Sequence, residues 1–161
     1  MNDSALVLVR LSPEYCHTLA SLLADGQISR TTALVPYPYT LDHAEAFVAR
    51  AAVDGEGAVV RGITVGHRLV GVCSARRQAH GAWNVAYWVG VDFQGRGYAT
   101  EALRQLMTRL DGVSPRRYVG SHLPGNAASA KVLLHNGFRV TGCSPLTVRD
   151  ETVMVVDYAR P

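Results

Sequence analysis

A pair of glycines set between a strand and a helix constrains this chain more than any other feature. Residues 84–91, Asn84-Val85-Ala86-Tyr87-Trp88-Val89-Gly90-Val91, are rich in β-branched and aromatic side chains and read as a strand. Gln94-Gly95-Arg96-Gly97 follows closely, and then Ala99, Ala102, Leu103, Leu106, Met107 and Leu110 recur on one helical face. A strand that turns through glycines into a helix presents backbone amides with no acceptor inside the helix. The helix dipole adds partial positive charge at the same place. Such a cradle binds phosphate or diphosphate, and Arg96 is positioned to add a guanidinium fork. The following residues narrow the ligand. A Walker A loop needs Lys-Ser or Lys-Thr after its last glycine, where this chain has Tyr98-Ala99. A Rossmann fingerprint needs a small residue three positions after Gly97, where Thr100 stands, within a βαβ unit that the upstream hairpin does not suit.

The rest of the chain predicts a mixed α+β domain. Its 161 residues suit one compact core, taken as a single domain over 1–161. Val7, Val9 and Leu11 alternate in a first strand. Ser12 reads as the cap and Pro13 as the first residue of a helix ending near Asp25-Gly26. The prolines of Val35-Pro36-Tyr37-Pro38-Tyr39 impose an extended loop. Thr40 is placed to cap a second helix, closed by Asp54-Gly55-Glu56-Gly57. Two β-rich runs, 58–65 and 68–75, flank Gly66-His67, a two-residue hairpin turn. A strand over 118–122 precedes a helix starting at Asn126 and stopping at Asn136-Gly137, with Phe138 as the hydrophobic contact after the cap. Strands over 139–143 and 152–158 close the chain, joined by a loop holding Pro145 and Asp150. The order is β-α-α-β-β-β-α-β-α-β-β, seven strands and four helices, and its consecutive strands argue against a regular βαβ repeat.

Composition removes several classes of function. Charged residues make up 18% and the net charge is +3, spread as single residues and pairs such as Arg76-Arg77. Nucleic-acid binding wants a clustered basic stripe, so it is not expected. Cys16, Cys73 and Cys143 are far apart, and the six histidines are scattered, so neither a disulfide framework nor a metal site is expected. No apolar run is long enough for a membrane helix. The polar start Met1-Asn2-Asp3-Ser4 lacks a signal peptide's basic region, which makes the cytoplasm the expected compartment.

Gln94-x-x-Gly97-x-Ala99 resembles the diphosphate loop of the GNAT N-acetyltransferase superfamily. Tyr87-Trp88-Val89, Phe93 to Leu103, Asn126-Ala127-Ala128-Ser129 with Gly137-Phe138, and the Pro-Tyr-Pro segment at 36–38 resemble its ribosomal-protein alanine acetyltransferase branch. The resemblance spans nearly the whole chain. It implies the acyl-CoA N-acyltransferase fold, with a mixed, mostly antiparallel sheet of about seven strands flanked by about four helices. It also implies acetyl transfer from acetyl-CoA to a primary amine, without a metal, by direct attack in a ternary complex. Gln94, Gly95, Arg96, Gly97, Tyr98, Ala99 and Thr100 would then wrap the CoA diphosphate. The backbone of Val89 and Val91 would pair with the pantetheine arm, and Asn126 would stand near that arm, although Asn126 also reads as a plain helix cap. Ser129 would lie near the sulfur and protonate the departing thiolate. Tyr37, Tyr39 and Trp83 would line the acceptor pocket. The partners implied are acetyl-CoA and an amine acceptor, with a homodimer as the oligomer common among similar proteins.

Two positions depart from the superfamily pattern. The tyrosine that many members carry in the last helix aligns with Leu133, as in the alanine acetyltransferase branch. The glutamate that often serves as general base aligns with Asn84, which cannot accept a proton near neutrality, leaving His122 as a substitute. An α-amine has a pKa of about 8 and a lysine side chain about 10.4, so at pH 7.5 roughly a quarter of α-amines are neutral against about 0.1% of lysines. An enzyme without a carboxylate base is therefore expected to favour an α-amine. An acyl-CoA-binding regulatory module with little catalysis is the alternative reading of the same two departures.

Overall fold

A computed structural model describes residues 5–33, 35–52, 55 and 57–161. The chain forms β1 (Leu6–Val9), α1 (Cys16–Leu22), α2 (Gln27–Thr31), α3 (Leu41–Ala51), β2 (Ala58–Val65), β3 (Arg68–Arg77), β4 (Trp83–Val89), α4 (Tyr98–Val113), β5 (Tyr118–His122), α5 (Ala127–His135), β6 (Arg139–Val148) and β7 (Glu151–Arg160). The strands make one sheet in the order β1-β2-β3-β4-β5-β7-β6. The β4–β5 pair is parallel, and every other pair is antiparallel.

Alternation of side chains sends the sheet's apolar residues to two separate cores. On one face Ile63, Val70, Cys73, Val85, Val89, Tyr118 and Tyr158 pack against Leu103, Leu106 and Met107 of α4 and Leu133 of α5. On the other, Val60, Leu69 and Val72 pack against Cys16 and Leu19 of α1 and Ala44 and Val48 of α3.

Several local expectations hold. Gly66 and His67 both take positive φ, 57° and 65°, the geometry of a type I′ hairpin turn. Thr40 caps α3 in a reciprocal box, its hydroxyl accepting from the His43 amide at 3.3 Å while its own amide donates to His43 Nδ1 at 3.1 Å. After α5, the Phe138 amide reaches the Leu133 carbonyl at 3.1 Å through Gly137 at φ 82°.

Others are corrected. Ser12 does not cap a long helix; its hydroxyl donates to the Glu14 carboxylate at 2.9 Å, and Pro13–Tyr15 form a short 3₁₀ turn before α1. Helix α1 stops at Leu22, and Gly26, at φ 78°, starts the additional helix α2, whose first amide is held by the Asp25 carboxylate at 3.0 Å. Pro145 lies inside β6 instead of in a loop, which an edge strand tolerates because only one side needs ladder donors. The turn of that hairpin is Arg149-Asp150, both at positive φ. Of the segment expected to close α3, Asp54 and Glu56 lie outside the described residues.

Candidate active site

The site begins where pairing in the sheet fails. The Trp83 amide donates to the Arg117 carbonyl at 2.8 Å, and β4 and β5 share only the pairs Trp83↔Tyr118 and Asn84↔Val119 before they part. On β4's other side the ladder to β3 continues to its end, the Gly90 amide donating to the Val70 carbonyl at 2.8 Å. Backbone polar groups alternate sides along an antiparallel strand. Those of Val85, Tyr87 and Val89 therefore face the widening gap. A close approach holds β4 there: a Cβ on Gly71 would meet the Trp88 carbonyl oxygen at 2.2 Å.

The gap opens toward the glycine loop. Gly95 and Gly97 take φ 77° and 79°, and a Cβ on either would meet nothing within 4 Å, so backbone conformation alone demands glycine. The first helical bond of α4 runs from the Glu101 amide to the Gly97 carbonyl at 3.1 Å. The amides of Tyr98, Ala99 and Thr100 thus precede any intrahelical acceptor. Arg96 reaches back to the Asp92 carbonyl at 3.4 Å and lies 6.0 Å over the Phe93 ring. Arg68, from the β2–β3 hairpin, covers the same ring at 5.0 Å. That second cation beside the loop was not foreseen, because only the hairpin's position in the sheet brings it there. Glu101, in the first turn, makes a bidentate contact with Arg104 and accepts from Gln105, and these hold its carboxyl down to about 2.

Two loop residues act differently from expectation. The Gln94 side chain donates to the Val89 carbonyl at 2.9 Å and its amide donates to the Val91 carbonyl at 3.3 Å. Gln94 is thus a clasp that shapes the loop and occupies the Val89 carbonyl, leaving the Val89 amide as that residue's group facing the gap. Val91 falls in a 3₁₀ turn, Val91–Phe93, beyond the end of β4.

The α5 wall brings the Ser129 hydroxyl against β4. Asn126 caps α5, accepting from the Ser129 amide at 3.2 Å, and donates to the Thr31 carbonyl of α2 at 3.2 Å. The Tyr87 hydroxyl lies 2.8 Å from Ser129 Oγ and donates to the Ser129 carbonyl at 3.0 Å, joining β4 to α5. Burial is the main reason that the Tyr87 phenol is pushed up to about 12, so it stays a proton-bearing donor near neutrality. Tyr87 was missed as a site residue because its partner lies 42 positions away. His122 sits on this same side. Its Nδ1 lies 2.9 Å from the Leu123 carbonyl, which can only accept, so Nδ1 carries the proton and Nε2 accepts from the Tyr158 hydroxyl at 3.0 Å. Both ring nitrogens are engaged on the α5 side, which takes His122 away from the role of base beside Asn84.

Asn84 belongs to the opposite face with Ala86 and Trp88, since alternate residues of β4 face α1 and α3. Trp88 packs in the α1–α3 core with Tyr39 and Phe47. Trp83 is corrected: it is 8% exposed, lies in the α4–α5 core and is covered by the Arg116 guanidinium at 4.7 Å. Its odd position on β4 points it to the α4–α5 side, whereas Trp88 lies on the face of Asn84. Tyr39 is half-buried against His43, whereas Tyr37 is 59% exposed over Gly26. Arg149, at the β6–β7 turn, donates to the Ser29 and Val35 carbonyls at 2.6 and 2.7 Å, tying that hairpin to α2 and the loop after it. Among the described residues no group of three or more His, Cys, Asp or Glu is placed to hold a metal, and no helix is long and apolar enough to cross a membrane.

Comparison with known proteins agrees with this architecture. The microcin C7 self-immunity acetyltransferase MccE, solved with acetyl-CoA and AMP, superimposes with a TM-score of 0.86 at 21% identity, over 99% of this chain and 93% of that one. RimL, a ribosomal L7/L12 α-N-protein acetyltransferase solved with CoA, gives 0.86 at 23% identity, over 96% and 93%. Mycobacterium smegmatis RimJ gives 0.84 at 18% identity, over 99% and 83%. No curated protein matches the sequence. Residues 5–139 match the family model of the acetyltransferase (GNAT) domain, and the chain therefore belongs to the GNAT acetyltransferase family.

Proposed function

We propose that this protein acetylates a primary amine of low pKa, such as a protein or peptide N-terminal α-amine, by direct attack on acetyl-CoA in a ternary complex. The observation that carries this reading is the gap between β4 and β5, with a cradle of helix amides at one end and the Ser129–Tyr87 pair on its α5 wall. The CoA diphosphate sits on the amides of residues 98–100 and the loop before them, with Arg96 beside it. The pantetheine arm follows β4 past Val91. The Val89 amide donates to the thioester oxygen, where negative charge develops during attack. A neutral amine attacks the carbonyl carbon, the C–S bond breaks, the nitrogen gives up one proton, and the thiolate takes one from the Ser129 hydroxyl, which Tyr87 supports from behind and which solvent reprotonates. A thiol near the acidity of cysteine needs only a weak acid for this step. Asn84, in place of a carboxylate, favours acceptors already partly neutral at working pH.

The test is thiol release from acetyl-CoA with matched α-amino and ε-amino peptides across pH. A higher kcat/KM for the α-amine, narrowing as pH approaches the lysine pKa, is expected. A lysine preference near neutrality refutes the acceptor class. Acetyl-CoA binding with no turnover on any amine identifies a binding module instead.

A further inference from the structure

With Asn84 at the position of the usual base, the acceptor side needs another group to take the nitrogen's proton. The sheet itself presents one. Along β5, Tyr118, Gly120 and His122 face α4 and α5: Tyr118 is in that core, a Cβ on Gly120 would meet Leu133 and Val85, and His122 bonds Tyr158. Ser121 must therefore face the other way, onto the side where β4 shows Asn84, Ala86 and Trp88. Ser121 pairs with Asp157 of β7, so the two side chains share that face. Val156 and Tyr158, the neighbours of Asp157, both belong to the α4–α5 core, which fixes the parity of β7 independently.

The longitudinal position also fits. Asn84 is level with Val119, and Ser121 is two residues further on, where β4 and β5 have begun to part. Ser121 is exposed there, and Asp157 is half-buried one strand behind it. Directly opposed side chains on one face stand about 5 Å apart at Cβ, within reach of a hydroxyl–carboxylate contact. β4 and β5 carry no carboxylate, and the other acidic residue of β7 is Glu151, at the far turn. Among the described residues the Asp157 carboxylate makes no hydrogen bond or ion pair.

We propose that Asp157 takes up the proton released by the acceptor amine, with the Ser121 hydroxyl standing between it and the gap. This rests on the acetyl-transfer reading above. When nitrogen bonds to the thioester carbon, the nitrogen proton passes by way of Ser121 to the Asp157 carboxylate. The C–S bond breaks, and the thiolate takes its proton from Ser129. Asp157 then releases one proton to solvent, and the Ser129–Tyr87 pair recovers one, so each turnover closes without a further reactant. The two proton transfers occur on opposite faces of the sheet, joined only through the gap.

The experiment uses two acceptors built on one peptide, one with an ordinary α-amine and one with an aminooxyacetyl N-terminus, whose nitrogen is uncharged and weakly basic near neutrality. Asp157→Asn should lower kcat/KM roughly 100-fold for the amino peptide, the lower end of a general-base effect. The loss with the aminooxy peptide should be several-fold at most. Ser121→Ala should show the same pattern more weakly, and the acetyl-CoA Kd should not move in either variant. Asp157→Ala, assayed with and without added formate, covers the case of Asn disturbing the ladder: formate should restore turnover of the amino peptide selectively. Equal losses on both acceptors, or no loss on either, overturn the role of Asp157 while leaving acetyl transfer standing. A folded wild type that binds acetyl-CoA and acetylates neither peptide overturns both.

Discussion

Substituting Gly97 separates the ligand-binding role of the loop from its structural one. The residue sits at φ 79°, and a side chain there would touch nothing of the protein within 4 Å. Asparagine tolerates the left-handed region better than other non-glycine residues, so Gly97→Asn should lower stability by no more than about 1 kcal/mol. The new side chain nevertheless projects where the amides of Tyr98, Ala99 and Thr100 open. Displacing a diphosphate from even one of them removes a charge-assisted hydrogen bond, typically about 1.5–3 kcal/mol. CoA affinity should fall roughly 10- to 150-fold as a result. Calorimetric titration with CoA measures the loss, and a thermal melt confirms the fold. Gly112→Ala, on the same helix with open space around it, is the control: it should bind CoA normally and melt no lower, since alanine is the better helix former. A folded Gly97→Asn protein that binds CoA as tightly as wild type would refute the cradle and everything placed relative to it.

Ser129→Ala should reduce kcat by roughly 10- to 100-fold with little change in acetyl-CoA Kd. Tyr87→Phe should reduce it less, and the double variant should match Ser129→Ala because both act through one hydrogen bond; additive losses would show independent roles. Because the Tyr87 phenol is pushed up to about 12, the wild-type kcat profile should show no phenol ionisation below about pH 10, and a limb there that vanishes in Tyr87→Phe would contradict the burial. Thiol titration of the folded protein should find one fast cysteine, exposed Cys143, since Cys16 and Cys73 are buried and the Cys73 thiol is pushed up to about 12; a second fast thiol would show that the core opens. Arg149→Ala removes two short bonds to the Ser29 and Val35 carbonyls and should raise the peptide KM roughly 10-fold at unchanged acetyl-CoA Kd; an unchanged peptide KM would detach that loop from acceptor binding.

The parts of the fold that were legible in the sequence are those governed by near neighbours. A helix cap at Thr40, a turn at Gly66-His67, a left-handed stop at Gly137 and the strand–glycine–helix passage at 89–101 each depend on a few consecutive residues. Helix α2 was hidden because five residues are too few to show a helical period, and its buried members, Ile28 and Ser29, read as loop without knowledge of what covers them. Pro145 misled for a related reason: a proline forbids a central strand but not an edge, and edge status is a property of the whole sheet.

The two tryptophans of β4 show where local reading ends and what the site requires beyond it. Trp83 and Trp88 are five residues apart, so strand alternation alone sends them to opposite faces. Which face meets the acceptor depends on the helices packed on each side, and those pairings are long-range. The same parity places the groups of the proposed proton transfers. Odd residues of β4 bring Tyr87 to Ser129, while even ones put Asn84 on the opposite face, where β4 itself offers no carboxylate. Parity on β5 and β7 then places His122 and Tyr158 on the side of the Tyr87–Ser129 pair, and Ser121 and Asp157 with Asn84. A one-residue slip in the β5–β7 register would exchange those pairs and leave the acceptor side without its carboxylate. On the proposed mechanism, the acid for the leaving sulfur and the proton acceptor for the incoming nitrogen are kept apart by the sheet, and they meet only where β4 and β5 stop pairing.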